Sequence, residues 1–340
     1  MRYLFIISNT IRTKELQKLE DVISSLGEEQ RNSIELRYVQ YQGHAMDLAT
    51  EASDQYDDKV TVVAVGGDKI VHEIVNALAY RSTPLIILPM GTYNDFAGSV
   101  YPEYVMKNPA AMVKRLAEVK FSPIDLVRLD SYDVLGNHLP VWSGFFINVA
   151  TIGFDTQLTN TGTDLAAKKG KDYNASKACV KGLRSATQKL RPYKLDYNFE
   201  LVDSDTNEIS QNEIFNSIDI CNSKSVNGGF IKAPDASITD GVLDICVTEF
   251  GSKLNTIQTQ LKTRKKDGDI PGNVRMFKAT SGIITCKDNS YQLNGCCDGE
   301  LFYGHRIRFE VFPEALIFGY FPDVSAAAVT AGGVGDGTGA

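Results

Sequence analysis

The sequence predicts the α/β fold class, with an N-terminal parallel sheet in a three-layer α/β domain and a C-terminal antiparallel β-sandwich domain. In the first 126 residues, short apolar runs alternate with amphipathic helical patterns, which is typical of a parallel sheet with helices on both faces. Beyond them, strand-like segments follow one another between Gly, Asn and Asp, which favours an antiparallel sandwich. The length of 340 residues, 43% of them hydrophobic, is enough for two cores.

The elements of the first domain follow in order along the chain. Val71, Ile74, Val75 and Leu78 recur at i, i+3, i+4 and i+7, which predicts a helix directly after the third strand. A short helix is also expected from Phe96. The predicted strands are residues 3–7, 34–38, 61–65 and 84–88, and two further predicted helices are residues 14–25 and 44–52.

The second domain is predicted over residues 127–314, and its helix is expected within residues 172–190. The apolar run 315–321 is expected to return to the first domain, which therefore comprises residues 1–126 and about 315–322. Residues 323–340 are of low complexity and are predicted to be a disordered tail. The predicted strands are residues 141–150, 193–201, 217–221, 243–247, 282–286 and 306–312.

Composition excludes several classes of function. The net charge of −7 disfavours a nucleic-acid partner, and the four histidines lack the spacing of a zinc site. The six cysteines show no paired spacing and no secretory signal precedes them, which predicts reduced thiols in a cytoplasmic protein. No apolar run approaches the roughly 20 residues needed to cross a bilayer. The protein is therefore expected to be soluble, or at most peripheral to the inner face of the membrane.

Gly66 and Gly67 stand between the third predicted strand and its helix. Glycine tolerates positive φ and the close approach of a ligand, and the start of the helix offers free N–H groups to an anion. Asp68 would repel phosphates unless a cation such as Mg²⁺ lay between them, which indicates a metal-nucleotide site. A plain Gly-Gly-Asp turn is the alternative interpretation.

A second turn of the same character follows the fourth predicted strand. Gly91 permits a tight loop, Thr92 and Asn94 supply short hydrogen-bonding side chains, and Asn94 or Asp95 can cap the next helix. Ligands of open α/β sheets bind outside the carboxyl ends of the strands, where such loops converge. Neither turn matches a Walker A motif or a GxGxxG fingerprint, so the sequence does not support a P-loop or dinucleotide site.

The motifs taken together point to a family. The chain carries, in this order, GGDKIVHEIVNAL, PMGTYNDFA, PIDLV, FFINVATIGFD, NGGFIKAPDASITDGVLDI and DGE. In these segments, and over residues 3–321, it resembles the diacylglycerol kinase catalytic family, which includes bacterial lipid kinases. The resemblance implies an N-terminal domain related to NAD kinases and phosphofructokinases, a C-terminal β-sandwich, and ATP-dependent phosphorylation of a lipid hydroxyl group in the cleft between them.

The resemblance also implies roles for individual residues. Asp68, Asp95 and Asp125 match family aspartates that gather around one Mg²⁺ and its waters, and Glu300 matches the general base towards the lipid hydroxyl. Ordinary turns are the alternatives for Asp125 and for the DGE motif. The implied cofactors are ATP and Mg²⁺. The implied nucleotide-binding residues are Asn9, Gly66, Gly67, Asp68, Lys69, Ile70, His72, Glu73, Gly91, Thr92 and Asn94.

The segment SITDGVLDI resembles a loop that holds a structural Mg²⁺ in bacterial members of the family. The ligands would be the Asp240 side chain with Ser237 and Val242, since a hard cation accepts carboxylate and carbonyl oxygens. A plain Asp-Gly hairpin is the alternative. Such a metal would shape the fold without taking part in the reaction.

Departures from the family pattern cluster where ATP is expected to bind. The usual GGDGT is altered at Lys69 and Ile70, His72 replaces the customary asparagine, and Asn9 lacks its following proline. The threonine usual before Gly43-His44-Ala45 is also missing. Lys69 either supplies a point charge to the phosphates or closes the site to ATP by its bulk. The second possibility describes a catalytically silent member that binds lipid or an altered nucleotide as a regulator.

A basic segment at residues 168–194 contrasts with the acidic remainder of the chain. Lys177, Lys181 and Arg184 share one helical face beside an apolar one, which is typical of a helix lying on anionic lipid. A solvated helix face is the alternative. The expected partner is a lipid substrate at the membrane surface. The lipid acceptor stays open among diacylglycerol, phosphatidylglycerol and a sphingoid base, and a homodimer is compatible with the sequence.

Overall fold

The computed structural model describes residues 2–135, 138–169, 175–202, 207–264, 270–289 and 291–322. The predicted tail at 323–340 lies outside these residues, as do positions 172–174 of the predicted helix. The helices are α1 (Thr13–Ser24), α2 (Glu28–Asn32), α3 (His44–Tyr56), α4 (Asp68–Leu78), α5 (Asp95–Val100), α6 (Glu103–Lys107), α7 (Phe154–Lys169), α8 (Ala175–Gln188) and α9 (Lys253–Thr263), with 3₁₀ turns at Asp57–Lys59 and Pro109–Glu118.

The strands extend through both halves of the chain. They are β1 (Arg2–Ile7), β2 (Ile34–Tyr38), β3 (Val60–Gly66), β4 (Leu85–Pro89), β5 (Lys120–Tyr132), β6 (Trp142–Phe146), β7 (Val149–Gly153), β8 (Tyr193–Leu201), β9 (Glu208–Cys221), β10 (Ser225–Val226), β11 (Phe230–Ile231), β12 (Leu243–Glu249), β13 (Val274–Cys286), β14 (Leu293–Cys297), β15 (Glu300–Gly304) and β16 (Arg306–Tyr320).

The first sheet is parallel in the order β2-β1-β3-β4. Every residue of β3 and β4 is buried, because helices cover both faces of the sheet. This burial explains why these strands are continuous apolar runs and not alternating patterns. Their carboxyl ends, at Gly66 and Pro89, lie at the same edge of the sheet.

Two long antiparallel strands join this sheet to the second half of the molecule. β5 and β16 pair from Lys120↔Tyr320 to Tyr132↔Arg306, with an irregularity between Phe312 and Leu316. Beyond this irregularity, β16 runs parallel to β4. The apolar run 315–321, predicted to return to the first domain, is therefore the end of the strand that begins at Arg306.

The later strands form an antiparallel sandwich. The strands pair in the order β6-β5-β16-β13-β12-β9-β7-β14-β15, and β8 pairs with both β13 and β9. A core of Phe199, Phe215, Phe302 and Phe309 and their apolar neighbours fills the space between the layers. A separate core lies around the first sheet. The predicted fold class is confirmed.

Helix α7 is the main element that the sequence patterns do not predict. Its segment, FDTQLTNTGTDLAAKK, is rich in Thr and has a weak apolar stripe. Tertiary contacts hold it instead, because Asp155 accepts hydrogen bonds from the Lys232 ammonium (2.6 Å) and the Ser217 hydroxyl (2.8 Å). Gly162 lets α8 approach closely, since a Cβ there would lie 2.3 Å from Cys179 Sγ. Among the described helices, none has the length and hydropathy of a membrane span.

Candidate active site

The two predicted glycine turns lie against each other at the carboxyl edge of the parallel sheet. A Cβ on Gly91 would lie 2.2 Å from Gly67 Cα, and a Cβ on Gly66 would lie 2.9 Å from Ser8 Cβ at the end of β1. Only glycine permits this approach of one main chain to another. The contact forms an edge of backbone directly before α4.

Asp68 and Asp95 are neighbours on this edge. The Asp68 carboxylate accepts hydrogen bonds from the N–H groups of Asp95 (3.1 Å) and Phe96 (3.3 Å), and so caps the start of α5. Asp95 accepts from the N–H groups of Gly228 (2.9 Å) and Gly229 (3.1 Å), which belong to the second half of the chain. This pair of aspartates therefore links the two halves of the molecule.

Burial sets the electrostatic state of this pair. Loss of solvent raises the pKa of Asp68 to about 6, assisted by the charge of Asp298, although the two backbone N–H groups oppose the shift. Loss of solvent also raises the pKa of Asp95 to about 7, and the charge of Asp68 adds to the shift. Two adjacent carboxylates whose negative charge is poorly solvated are suited to a divalent cation.

Magnesium fits this donor set in one particular way. Within the described part of the chain, no group of three or more His, Cys, Asp or Glu side chains is arranged to hold a metal ion. Mg²⁺ at kinase sites commonly takes one or two protein carboxylates and completes its shell with substrate phosphates and water. Asp68 and Asp95 are sufficient for that arrangement.

Asp125 makes its hydrogen bonds at the junction of the two halves, and its predicted place with Asp68 and Asp95 around Mg²⁺ stays a prediction. Its carboxylate accepts hydrogen bonds from the N–H groups of Gly241 (2.7 Å) and Glu314 (3.0 Å). Burial raises its pKa, with a smaller contribution from Asp240. These bonds secure the irregularity in β16 and the loop before β12, so Asp125 has a structural role at the junction of the two halves.

The loop predicted to hold a structural metal is next to Asp125. Asp240 is exposed, and its Oδ1 accepts the N–H of Val242 at 3.1 Å, as in a closed Asx turn. The Ser237 hydroxyl lies 3.3 Å from that of Thr239. The predicted metal ligands therefore share one turn, and their metal stays a prediction.

The DGE motif forms the turn between β14 and β15, which faces the start of α4. Asp298 (φ +48°) and Gly299 (φ +88°) have the left-handed conformation of such a turn. The Asp298 carboxylate accepts three backbone N–H groups, those of Ile147, Asn148 and Val149, at 2.8 to 3.3 Å. These bonds fix the turn that carries Glu300.

Glu300 is partly exposed and has two neighbours from the first half of the chain. Gln42 Nε2 donates to Glu300 Oε1 at 3.1 Å, and Lys69 Nζ lies 3.9 Å from Glu300 Oε2. The stem of Lys69 covers the turn, because a Cβ on Gly299 would lie 3.2 Å from Lys69 Cγ. Lys69 therefore lies beside the predicted general base, and not simply along the phosphate turn.

His72 contacts the same turn from the next turn of α4. Its Nδ1 lies 3.7 Å from Asp298 Oδ2 and has no hydrogen-bond partner, and its ring stacks on Trp142 at 6.3 Å. Asn76, one turn later, bonds to the backbone N–H and carbonyl of Phe145 at 2.7 and 2.8 Å. Two of the residues that depart from the family pattern, Lys69 and His72, thus both contact the DGE turn.

The remaining predicted nucleotide-binding residues divide into two groups. The side chain of Ile70 is buried in the first core, and the carboxylate of Glu73 accepts the N–H groups of Gly43 (3.0 Å) and Ala45 (3.1 Å) at the start of α3. These two side chains have structural contacts. Asn9 and Thr92 are exposed, and the Asn94 side chain closes its own turn with hydrogen bonds to Gly91.

Helix α8 borders the second glycine turn. Cys179 Sγ lies 3.6 Å from the hydroxyl of Tyr93, which belongs to that turn. The predicted membrane-facing residues Lys177, Lys181 and Arg184 are exposed on α8.

Sequence reasoning missed several contributors to the site. No sequence pattern indicated a role for Gln42, because its hydrogen-bond partner Glu300 is distant in the chain. Gly228 and Gly229 belong to a visible Asn-Gly-Gly motif, but the motif gives no indication that it binds Asp95. Trp142, whose ring stacks on that of His72, has the pattern of an ordinary strand residue in the sequence.

Comparisons with known proteins identify the domains that this chain resembles. Residues 2–129 match the diacylglycerol kinase catalytic domain, and residues 158–318 match the YegS C-terminal NAD kinase beta sandwich-like domain. A probable lipid kinase YegS-like protein of Xanthomonas campestris is 29% identical over 256 residues, which cover 71% of this chain and 74% of that protein. The protein of the same name from Serratia proteamaculans is 26% identical over 310 residues, 88% of this chain and 86% of that one. In fold, the chain is similar to a diacylglycerol kinase structure from Bacillus anthracis, with a TM-score of 0.62 and 15% identity over 95% of this chain and 97% of that one.

Proposed function

Since the chain belongs to the family of the diacylglycerol kinase catalytic domain, we propose that it transfers the γ-phosphate of ATP to the hydroxyl group of a diacylglycerol-like lipid. One observation carries the proposal. The paired glycine turns, with Asp68 and Asp95, face the turn that carries Glu300, and Lys69, which follows Asp68, reaches across to Glu300. A phosphate donor and an acceptor hydroxyl group can therefore meet between them.

The donor site in this proposal is the backbone edge at the paired turns. The phosphates bind beside Gly66, Gly67 and Gly91, where the first N–H groups of α4 favour an anion. Asp68 and Asp95 hold Mg²⁺, which supplies neutralisation of the phosphate charge when bound. Ser8, Asn9 and Thr92 border the same edge.

The acceptor site is the DGE turn. Glu300 takes the proton of the lipid hydroxyl group as that oxygen attacks the γ-phosphorus, and the bond to the leaving ADP oxygen breaks. The hydrogen bond from Gln42 holds the carboxylate in place. The Lys69 ammonium places a positive charge where negative charge crosses from donor to acceptor. This contact supports retained catalysis despite the altered phosphate loop.

The same contact also supports the alternative function. Lys69 and Gln42 both engage Glu300, and Ile70 is withdrawn into the core. If the lysine stem excluded ATP, the chain would be a silent regulator that binds lipid or another nucleotide. The two functions differ in whether phosphate reaches lipid and whether Mg·ATP stabilises the protein.

Radiolabelled transfer to a mixed lipid extract is the decisive experiment, with Glu300→Gln as the first variant. We expect this variant to lose about 10²- to 10⁴-fold in kcat, because it lacks a base, while it keeps the thermal shift produced by Mg·ATP. Glu310→Gln is the matched control, since Glu310 pairs with Arg308 on the surface. A wild type that neither transfers phosphate nor shifts with nucleotide would establish the silent alternative.

A further inference from the structure

The connection between β5 and β6 presents a cluster of apolar side chains to solvent. Leu135 and Leu139 are each 79% exposed, and Val134 and Val141 are also largely accessible. Single exposed apolar residues are common, but a cluster on one short connection marks an interaction surface. The proposed reaction gives this cluster no role so far.

The connection also lacks strongly charged side chains. Residues 134–142 contain no Asp, Glu, Lys or Arg, although such residues make up 23% of the chain. A surface without charged side chains can leave water without the desolvation cost of an ion. It is therefore suited to an apolar environment more than to a polar protein partner.

The cluster continues towards the candidate active site along β15. This strand begins at Glu300, and its exposed face carries Leu301 and Tyr303. The hydroxyl of Ser131, at the base of the connection, donates to the carbonyl of Tyr303 at 2.5 Å. The apolar surface and the predicted base thus belong to adjoining parts of one structure.

Trp142 makes a second link between the connection and the cleft. It directly follows the connection, and its ring lies 5.4 Å from that of Phe302 and 6.3 Å from that of His72. His72 contacts the DGE turn through Asp298. Only a few residues therefore separate the exposed Leu139 from Trp142, which borders the predicted acceptor site.

Charge complementarity identifies the occupant of this surface. Helix α8, which borders the cleft through Cys179 and Tyr93, exposes Lys177, Lys181 and Arg184. A bilayer combines an apolar interior with an anionic surface, so it offers a partner both for the apolar connection and for the basic face of α8.

We propose that Val134, Leu135, Leu139, Val141, Leu301 and Tyr303 enter the acyl region of a lipid bilayer and bring a lipid hydroxyl group to Glu300. The role of Glu300 rests on the proposed kinase function, whereas insertion itself requires neither nucleotide nor transfer. A lipid acceptor then keeps its acyl chains in the membrane, and only its head group crosses to the DGE turn.

The single tryptophan of the chain, Trp142, is a built-in reporter for this proposal. Neutral phosphatidylcholine vesicles at high salt suppress the contribution of the basic helix to membrane binding and leave that of the apolar connection. We expect the Trp142 emission to shift to shorter wavelength on mixing, and phosphatidylcholine with brominated acyl chains to quench it. Both signals are independent of kinase activity.

The double variant Leu135→Ser/Leu139→Ser tests the named residues. We expect it to bind these vesicles about tenfold or more weakly, since two leucines no longer leave water. Ile209→Ser/Ile214→Ser is the matched control, because both isoleucines are similarly exposed on β9 where it pairs with β8. The control should bind like the wild type. Circular dichroism establishes that each variant is folded.

Three outcomes would overturn the proposal. The first is an unchanged Trp142 emission when the wild type is mixed with vesicles, and the second is an equal loss of vesicle binding in both double variants. The third is a dimer that Leu135→Ser/Leu139→Ser converts to a monomer, with no fluorescence change on addition of lipid. The last result would assign the surface to a second copy of the chain. A wild type that inserts but transfers no phosphate would refute the kinase function alone, and one that phosphorylates vesicle lipid without quenching would refute the insertion alone.

Discussion

Lys69 illustrates how one substitution moves a side chain from one role to another. The family pattern has glycine at this position, along the phosphates, whereas the lysine extends across the cleft to within 3.9 Å of Glu300. An ammonium group there acts as a point charge on the acceptor side, without the fixed fork of an arginine.

Removing this charge provides a test at the level of one residue. We expect Lys69→Met, which keeps the stem, to lower kcat roughly tenfold with little change in the KM for ATP, because an exposed charge contributes less than a buried one. Lys69→Arg should retain most of the activity. Steady-state kinetics measure both, and an unchanged kcat in Lys69→Met would remove the lysine from the mechanism.

The aspartate pair predicts a pH dependence of stability. The pKa values of Asp68 and Asp95, about 6 and about 7, lie above that of an unfolded aspartate, so the folded protein holds these protons longer. Without a cation, the free energy of unfolding should therefore fall as pH rises from about 4 to about 7, by up to about 1.4 kcal/mol per pH unit for each retained proton.

Urea unfolding of wild type and Asp95→Asn across this range isolates the pair from other titrating groups. The variant should show the shallower slope, and Mg²⁺ at pH 7 should stabilise the wild type more than the variant. Parallel stability curves for the two proteins would contradict the coupling.

At the scale of elements, the contact between the two glycine turns is the feature with the least tolerance. A Cβ on Gly91 would lie 2.2 Å from Gly67 Cα, so Gly91→Ala must separate the turns. We expect it to abolish the thermal shift with Mg·ATP and to cost about 1–3 kcal/mol of stability. Gly272→Ala is the control, since nothing lies within 4 Å of its added Cβ. A normal nucleotide shift in Gly91→Ala would exclude these turns as the phosphate site.

Elements were predictable from the sequence where a local pattern decided them. Strands β1, β3 and β4 and helix α4 follow from apolar runs and a 3.6-residue period, because each is buried along most of its length or along one face. Helix α7 was not predictable, since its stability depends on Lys232 and Ser217, which bond to Asp155 across long sequence separations. β16 was divided in two because its irregularity at Pro313 resembles a strand end.

The candidate site was likewise predictable only where a local sequence pattern decided it. Gly66, Gly67 and Asp68 were identified from local order, and the position of Glu300 from its place in the motif series. Asp125 was predicted beside the other aspartates from its motif, but no spacing in the sequence indicates that its carboxylate accepts the N–H groups of Gly241 and Glu314. Which side chains meet across a cleft is a property of the tertiary fold, and no spacing in the sequence encodes it.

At the scale of the whole molecule, the basic face of α8 predicts salt-dependent binding to anionic lipid. We expect Lys177→Gln/Lys181→Gln/Arg184→Gln to weaken sedimentation with anionic vesicles at low salt, at roughly 1 kcal/mol per basic residue near the surface. The control changes Lys107, Lys114 and Lys120, which are exposed on the first domain. Equal binding by both triple variants, or binding that ignores salt, would assign α8 to a solvated surface.

The paired strands β5 and β16 constrain how the cleft can move. The described chain passes between the two cores in these strands, and they hydrogen-bond to each other on both sides of the irregularity near Pro313. A hinge motion at this junction must bend the two hydrogen-bonded strands together, and this restricts its amplitude. The bend is expected at Glu314, which has φ +55° and donates its N–H to the Asp125 carboxylate. We therefore expect any motion between the two halves to be of small amplitude.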